Sequence, residues 1–407
     1  MMSSGSLGLF RMRGFGLLWL AQVASRLGDP ITLVALAYVT YGKSASVLLT
    51  SLSVVIATLP NAILSVFGGA VADAVGHRRA MVIADIARAV LIGLLPVLLG
   101  LDVPLAAVFI VVLVAMSFGT LFNPARVAIV PSLLPSDRLS AGNALVYASD
   151  RTVEVVGAFL AGVLVTLIGS NAFYFDALTF LVSAALLSGI EIDEASPAAL
   201  RLKWLISDVE EGLQFLLKSR ILRSNTSISL VAQLSVPVVN ALTPALVFQS
   251  FSGGDLALGA TLFGTAEGAL AAGAVGAGIV LPVFLARVPK GRLLLIGWAA
   301  YGLELLLLAS APAFTLALPV FVLMGITNVV FFVPNVTISQ EHTPSGLRAR
   351  VFGTRIALLS LSWLPAIVLS GALGDVIGVP LLIALAGLLT LATAIVGAFI
   401  PVVRDVP

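Results

Sequence analysis

The chain has 407 residues, 59% of them hydrophobic and only 10% charged, against about 25% charged in a soluble domain. Zero cysteines exclude disulfides, thiolate metal sites and cysteine nucleophiles. The formal net charge of +2 lacks the basic excess that nucleic-acid binding needs, so lipid is the expected surrounding.

The apolar residues come in blocks of about 20 or more, long enough to cross a hydrocarbon core as a helix. About twelve are predicted, at roughly 14–41, 45–72, 80–99, 103–130, 137–169, 171–190, 221–251, 256–286, 292–310, 314–341, 347–376 and 379–402. These are spans 1 to 12. The blocks are too long for strands and do not alternate. A backbone in lipid must satisfy its own hydrogen bonds, which leaves helices. Tight turns are predicted at Gly42-Lys43-Ser44, Gly169-Ser170-Asn171, Ser252-Gly253-Gly254-Asp255 and Gly378-Val379-Pro380. The first block is too long for a signal-peptide core and no small-residue cleavage site ends it, so it reads as a mature helix.

If the spans alternate, sixteen basic residues share one side: Arg11, Arg13, Arg78, Arg79, Arg138, Arg201, Lys203, Lys218, Arg220, Arg223, Arg287, Lys290, Arg292, Arg348, Arg350 and Arg404. The other side holds only Lys43. The positive-inside rule then places both termini in the cytoplasm. Glycosylation-like triplets at Asn225 and Asn335 fall inside or in a helix and read as chance. Short termini and minimal outer loops fit the plasma membrane of a prokaryote. The one long inner connection, 191–220, contains Ser207-Asp208-Val209-Glu210, a predicted capping box. It opens a surface helix with Val209, Leu213, Phe215 and Leu216 as its apolar face.

Ionisable groups inside a span cost about 2.5–3.5 kcal/mol on insertion scales, so each needs a reason. Span 1 places Gln22, Arg26 and Asp29 on one face, and Pro30 follows, where a kink is expected. Two readings stay open. Either Asp29 is a proton or cation site tuned by Arg26, or the two form a permanent ion pair that locks the span to a neighbour. In span 3, Asp85 and Arg88 are three apart and read as an intrahelical pair. In span 5, Asp150 and Glu154 share a face, with Arg151 or Arg126 as partners. Glu267 in span 8 lies among Gly264, Gly268, Ala271, Gly273 and Gly276, small residues that let helices approach. It is a second proton-carrier candidate. Glu304 in span 9 has no evident partner. His77 and His342 are far apart, and no metal, cofactor or nucleophile constellation is present.

The chain also repeats itself at about 210 residues. Leu20-Ala21-Gln22-Val23 lies over Val231-Ala232-Gln233-Leu234, and Asp29 over Asn240. Phe122-Asn123-Pro124 lies over Phe332-Val333-Pro334, and Arg138 over Arg348. Each half reads as one copy of a helical unit, as in transporters with a site at the repeat interface.

Gly69-Ala70-Val71-Ala72-Asp73-Ala74-Val75-Gly76-His77-Arg78-Arg79 resembles the loop between helices 2 and 3 of the major facilitator superfamily. In that family the segment is a conformational latch, which implies this role for Gly69, Asp73, Gly76, Arg78 and Arg79. Asp73 would accept hydrogen bonds at a neighbouring helix N-terminus. Ala74 and His77 stand where the family has basic residues, and the second-half copy near Arg287–Arg292 lacks the acid. Further pieces resemble the drug:proton antiporter branch with its macrolide and siderophore exporters. These are Ser25-Arg26-Leu27-Gly28-Asp29, Phe122-Asn123-Pro124-Ala125-Arg126 with Gly142-Asn143-Ala144-Leu145, Phe175-Asp176-Ala177-Leu178-Thr179-Phe180, Arg350-Val351-Phe352-Gly353 and Gly371-Ala372-Leu373-Gly374-Asp375. In span 5, Gly157-Ala158 replaces the branch's Gly-Pro and Ala161-Gly162 its Gly-Gly.

The resemblance implies an all-α membrane protein of twelve transmembrane helices in two pseudo-symmetric six-helix bundles. These would cover 1–190 and 221–407, joined by a cytoplasmic linker at 191–220. The cavity would be lined from spans 1, 4, 7 and 10 by Gln22, Arg26, Asp29, Asn123, Arg126, Gln233, Asn240, Asn328 and Asn335. The expected activity is proton-coupled efflux of an amphipathic small molecule by a monomer, without a cofactor. The rivals are a proton-independent facilitator or importer and, from another class, a membrane sensor or scaffold, for which no output domain is visible.

Overall fold

A computed structural model describes residues 9–10, 12–192, 204–285, 287–344 and 347–406. Arg11, Arg201 and Lys203 lie outside the described residues. Among those described, every regular element is helical. The spans are Arg13–Ser44, Val47–Val75, His77–Gly100, Leu105–Gly119 with Phe122–Leu133, Leu139–Ile168 and Ala172–Ser188. They continue with Arg220–Ala232 extended by Ser235–Leu246, then Leu256–Leu285, Lys290–Ala309, Phe314–Glu341, Arg348–Ile377 and Val379–Ala398. Nine helical runs among the described residues are long and apolar enough to cross a membrane.

Two spans are broken, each for a local reason. Span 4 stops at Gly119 and restarts at Phe122, with Pro124 in the new first turn. There a missing N–H costs nothing, because first-turn donors have no intrahelical acceptor. Span 7 restarts the same way at Ser235, with Pro237 in its first turn, and ends in a π-helical turn at Val247–Phe251. Pro30 does not break span 1, whose helix runs through it. The proline ring is accommodated by Gly157 of span 5, where a Cβ would stand 3.1 Å from the ring. The turn glycines are where conformation demands them: Gly169, Gly253, Gly254 and Gly378 have positive φ. The first turn falls later than expected, at Ala45, because span 1 continues to Ser44.

The chain divides into two compact units. One comprises Met1–Lys43, Ile56–Arg201 and Leu256–Gly264; the other comprises Ser44–Val55, Leu202–Asp255 and Thr265–Pro407. The core of the first unit includes Phe15, Leu18, Met81, Phe122, Ile129 and Leu187. Small residues close its helices: at Gly264 a Cβ would meet the Ala158 carbonyl oxygen at 2.6 Å and the Gly162 nitrogen at 2.7 Å. Beside them Thr166 bonds the Ala257 carbonyl at 2.8 Å. At another edge of this unit Lys43 bonds Asp102 and holds that exposed carboxyl below its ordinary range.

The second unit is built on Trp298, Tyr301, Phe321 and Phe331, with Gly302 and Gly387 allowing spans 9 and 12 to touch. The helix Trp204–Lys218 belongs to it. Leu216 packs with Leu222 and Val351, flanked by Phe215, and Glu211 pairs with Arg350. This helix already includes Trp204, upstream of Ser207, so Ser207 lies inside it and is not the N-cap. The expected capping box is corrected accordingly; the side chains of 204–209, Val209 included, lie outside the described residues.

Candidate functional site

The first unit carries a chain of alternating charges through its interior. Arg126 of span 4 bonds Asp150 of span 5 at 2.8 Å. Asp150 also accepts from Gln22 at 2.6 Å and stands 3.9 Å from Arg26. Arg26 donates to Asn123 of span 4 at 2.6 Å and lies 3.5 Å from Asp29. Asp29 closes the chain on Arg88 of span 3. Gln22, Arg126 and Arg88 are buried, whereas the side chains of Arg26 and Asp29 retain 32% and 30% exposure. The chain therefore has buried ends and a more accessible middle, and that middle is the pair on span 1. Spans 1, 3, 4 and 5 must hold their register for it to exist.

Sequence spacing misassigned one partner. Arg88 reaches across to Asp29, while Asp85 on its own span accepts from Ser25 at 3.2 Å. An arginine three residues along a helix from an acid still has a long, flexible stem, and a carboxylate on the facing helix offered better geometry. Arg88 also lies over the Phe180 ring, 3.9 Å from its centroid. Asp150 takes Arg126 between helices, and Arg151 takes Glu154 along its own at 2.7 Å. Asp176, quoted in the span 6 motif but not singled out as a charge, is fully buried and accepts from Thr32 and Thr179.

The expected cavity residues of the second half divide. Asn335 is buried at the centre of a polar cluster. It accepts from Asn225 at 2.9 Å and Ser229 at 3.1 Å, and Arg355 of span 11 donates to it and to Ser339. Sequence reasoning missed Arg355, although an arginine two turns inside a span is signal enough. Gln233 is buried with its amide nitrogen unpartnered, Asn328 is half-buried and Asn240 is exposed. Glu267 is half-buried in span 8. Glu304 does have a partner, Thr327 of span 10, at 2.7 Å.

In the segment between spans 2 and 3, Gly76 has φ +99°, which requires glycine. Arg78 donates to the carbonyls of Ser188 at 3.1 Å and Ile190 at 2.9 Å. Among the described residues, Asp73 accepts from no backbone N–H at a helix N-terminus. It is exposed and pairs with His77, one turn on, at 2.9 Å. The helix-capping acid is instead Asp375 of span 11, which accepts from the backbone of Val47 at 2.7 Å and Leu48 at 3.2 Å.

The profile of a family described as Transmembrane secretion effector (MFS_3) matches residues 4–405. The chain belongs to this family of the major facilitator superfamily. It is a multi-pass membrane transporter, and the twelve-helix expectation stands. It is 25% identical over 96% of both chains to the multidrug efflux pump Tap of Mycolicibacterium fortuitum. It is 24% identical, again over 96% of both, to macrolide efflux protein A of Streptococcus pyogenes. The fold is similar to that of the peptide transporter POT solved in complex with sulfate, with TM-score 0.74, 14% identity and coverage of 97% of this chain and 96% of that one. This major facilitator chain thus sits with drug-efflux relatives.

Proposed function

We propose that this transporter exports an amphipathic small molecule, of drug, macrolide or siderophore-like character, in exchange for protons. The observation that carries the reading is Asp29, half-exposed between two guanidiniums, Arg26 and Arg88. An ionisable group inside a span needs a compensating partner. Movement of span 1 against span 3 or span 4 removes part of that compensation, and a proton restores it. The names of the relatives, efflux pumps for drugs and macrolides, support export. The test is flux of a radiolabelled macrolide into inside-out proteoliposomes under an imposed pH gradient. Accumulation that collapses with a protonophore is expected; equal flux with and without the gradient would establish a facilitator instead.

Alternating access of two six-helix bundles, 1–190 and 221–407 joined by 191–220, completes the proposal. The location is the plasma membrane of a bacterium, with both termini cytoplasmic. Single cysteines at Lys43 and His77 in this cysteine-free chain are expected to label from opposite sides; labelling from one side sinks the topology. The segment Gly69, Asp73, Gly76, Arg78 and Arg79 serves as the latch. Asp73→Asn is expected to change the rate of exchange between inward- and outward-open forms, followed by distance probes on the two bundles. An unchanged rate leaves Asp73 a loop residue.

A further inference from the structure

Span 3 carries an acid that this coupling step does not use. Asp85 is 0% exposed. Its Oδ1 accepts one hydrogen bond, from Ser25 at 3.2 Å, and its Oδ2 is buried without a partner. The polar neighbour on span 6 is Ser183, whose hydroxyl oxygen is also buried and unpartnered.

Charge counting around Arg88 gives this acid a role. Arg88 faces three carboxylates: Asp29 from span 1, Asp176 from span 6 and Asp85 from its own span. Span 1 supplies one further cation, Arg26, which shares Asp29. The charged side chain of span 4, Arg126, is engaged by Asp150. Two guanidiniums therefore serve three carboxylates. An uncompensated anion away from water costs several kcal/mol, and a proton removes that cost. The three acids are not equivalent. Asp29 touches both guanidiniums, and Asp176 receives two hydroxyl donors, Thr32 and Thr179. Asp85 has one long hydrogen bond and one empty oxygen. A proton on Oδ2 discharges the one oxygen of the three acids that is buried without a hydrogen bond.

We propose, resting on the proton-exchange reading, that Asp85 holds a second, exchangeable proton and that Arg88 is the counter-ion it shares with Asp29. When Asp29 takes up a proton, Arg88 turns to Asp85, and Asp85 releases its own. One proton enters at Asp29, one leaves at Asp85 and one guanidinium moves, so the network's charge is unchanged. Asp85 and Asp29 then form a relay rather than a single site.

Infrared difference spectroscopy of the reconstituted full chain tests this through the C=O band of an un-ionised carboxylic acid. Asp85→Asn, nearly isosteric with the neutral acid, is expected to remove one such band completely. Asp85→Glu is expected to keep the band but shift it, and Asp176→Glu to leave it in place. In Asp29→Asn, where Arg88 is free to neutralise Asp85, the band is expected to vanish as well. Persistence of the band in Asp85→Asn or in Asp29→Asn, or its displacement by Asp176→Glu, overturns the relay. Macrolide flux in Asp29→Asn reads the exchange proposal separately. A variant that loses the band yet transports uphill at the parent rate removes Asp29 from coupling but leaves Asp85 as the proton holder.

Discussion

Asp29→Asn is expected to abolish accumulation of a macrolide against its gradient while leaving downhill flux and binding in place. The asparagine keeps the shape of the side chain and can still accept from Arg88, but it cannot change charge. Arg26 retains Asn123 and Asp150 as partners, so span 1 keeps its seat in the network. Because the carboxylates around Arg88 outnumber the guanidiniums, removing one negative charge relieves the interior, and the variant is expected to fold and insert. The loss is therefore of coupling and not of protein. Proteoliposomes under an imposed pH gradient report the first quantity, and flux under a substrate gradient alone reports the second. Glu267→Gln is the control for a carrier in span 8; loss of uphill flux there alone would move the assignment. Uphill transport by Asp29→Asn at the parent rate makes Asp29 structural.

Arg88→Met is expected to have the largest effect on stability of any single substitution in the first unit. The methionine fills much of the space beside Phe180 but leaves Asp29, Asp85 and Asp176 without their shared cation. Breaking a buried ion pair by removing one partner typically costs about 3–5 kcal/mol, because the remaining charge is stranded. The sign of the pH dependence follows from the carboxylates. Each proton they bind cancels a stranded charge, so the deficit in thermal stability should narrow as pH falls and widen as pH rises. A second substitution, Asp29→Asn, should recover part of the loss, giving a coupling energy well outside additivity. A deficit below about 1 kcal/mol, within the range of exposed pairs, and no response to pH would mean that Arg88 is solvated and holds nothing together.

Much of this was legible in the residues, and the limits have physical causes. Span boundaries came within a few residues because a lipid core imposes length and apolarity directly. The turn glycines were legible because positive φ leaves few alternatives. Gln22, Arg26 and Asp29 stood out as polar groups on one face of an apolar helix, and the structure gathers all three. The partner of Arg88 was not legible: helical spacing favoured Asp85, but only the packing of span 1 on span 3 brings Asp29 within reach. Asp176 and Arg355 are open to the same rule that exposes Asp29; Asp176 stood only as part of a motif, and Arg355 lies just beyond one. The breaks in spans 4 and 7 were written in Pro124 and Pro237, each two residues after a helix restart. The capping pattern at Ser207 is purely local, and the linker helix already includes Trp204 upstream of it.

The central claim is that substrate and protons move through this chain in exchange, and coupling of that kind must run in reverse. Proteoliposomes loaded with macrolide and a pH-sensitive dye, with no initial pH gradient, provide the direct measurement. As macrolide leaves down its gradient, the lumen should acidify beyond the change seen in protein-free liposomes, and Asp29→Asn should abolish that excess at equal efflux. Efflux through the parent protein with no excess acidification would contradict proton exchange.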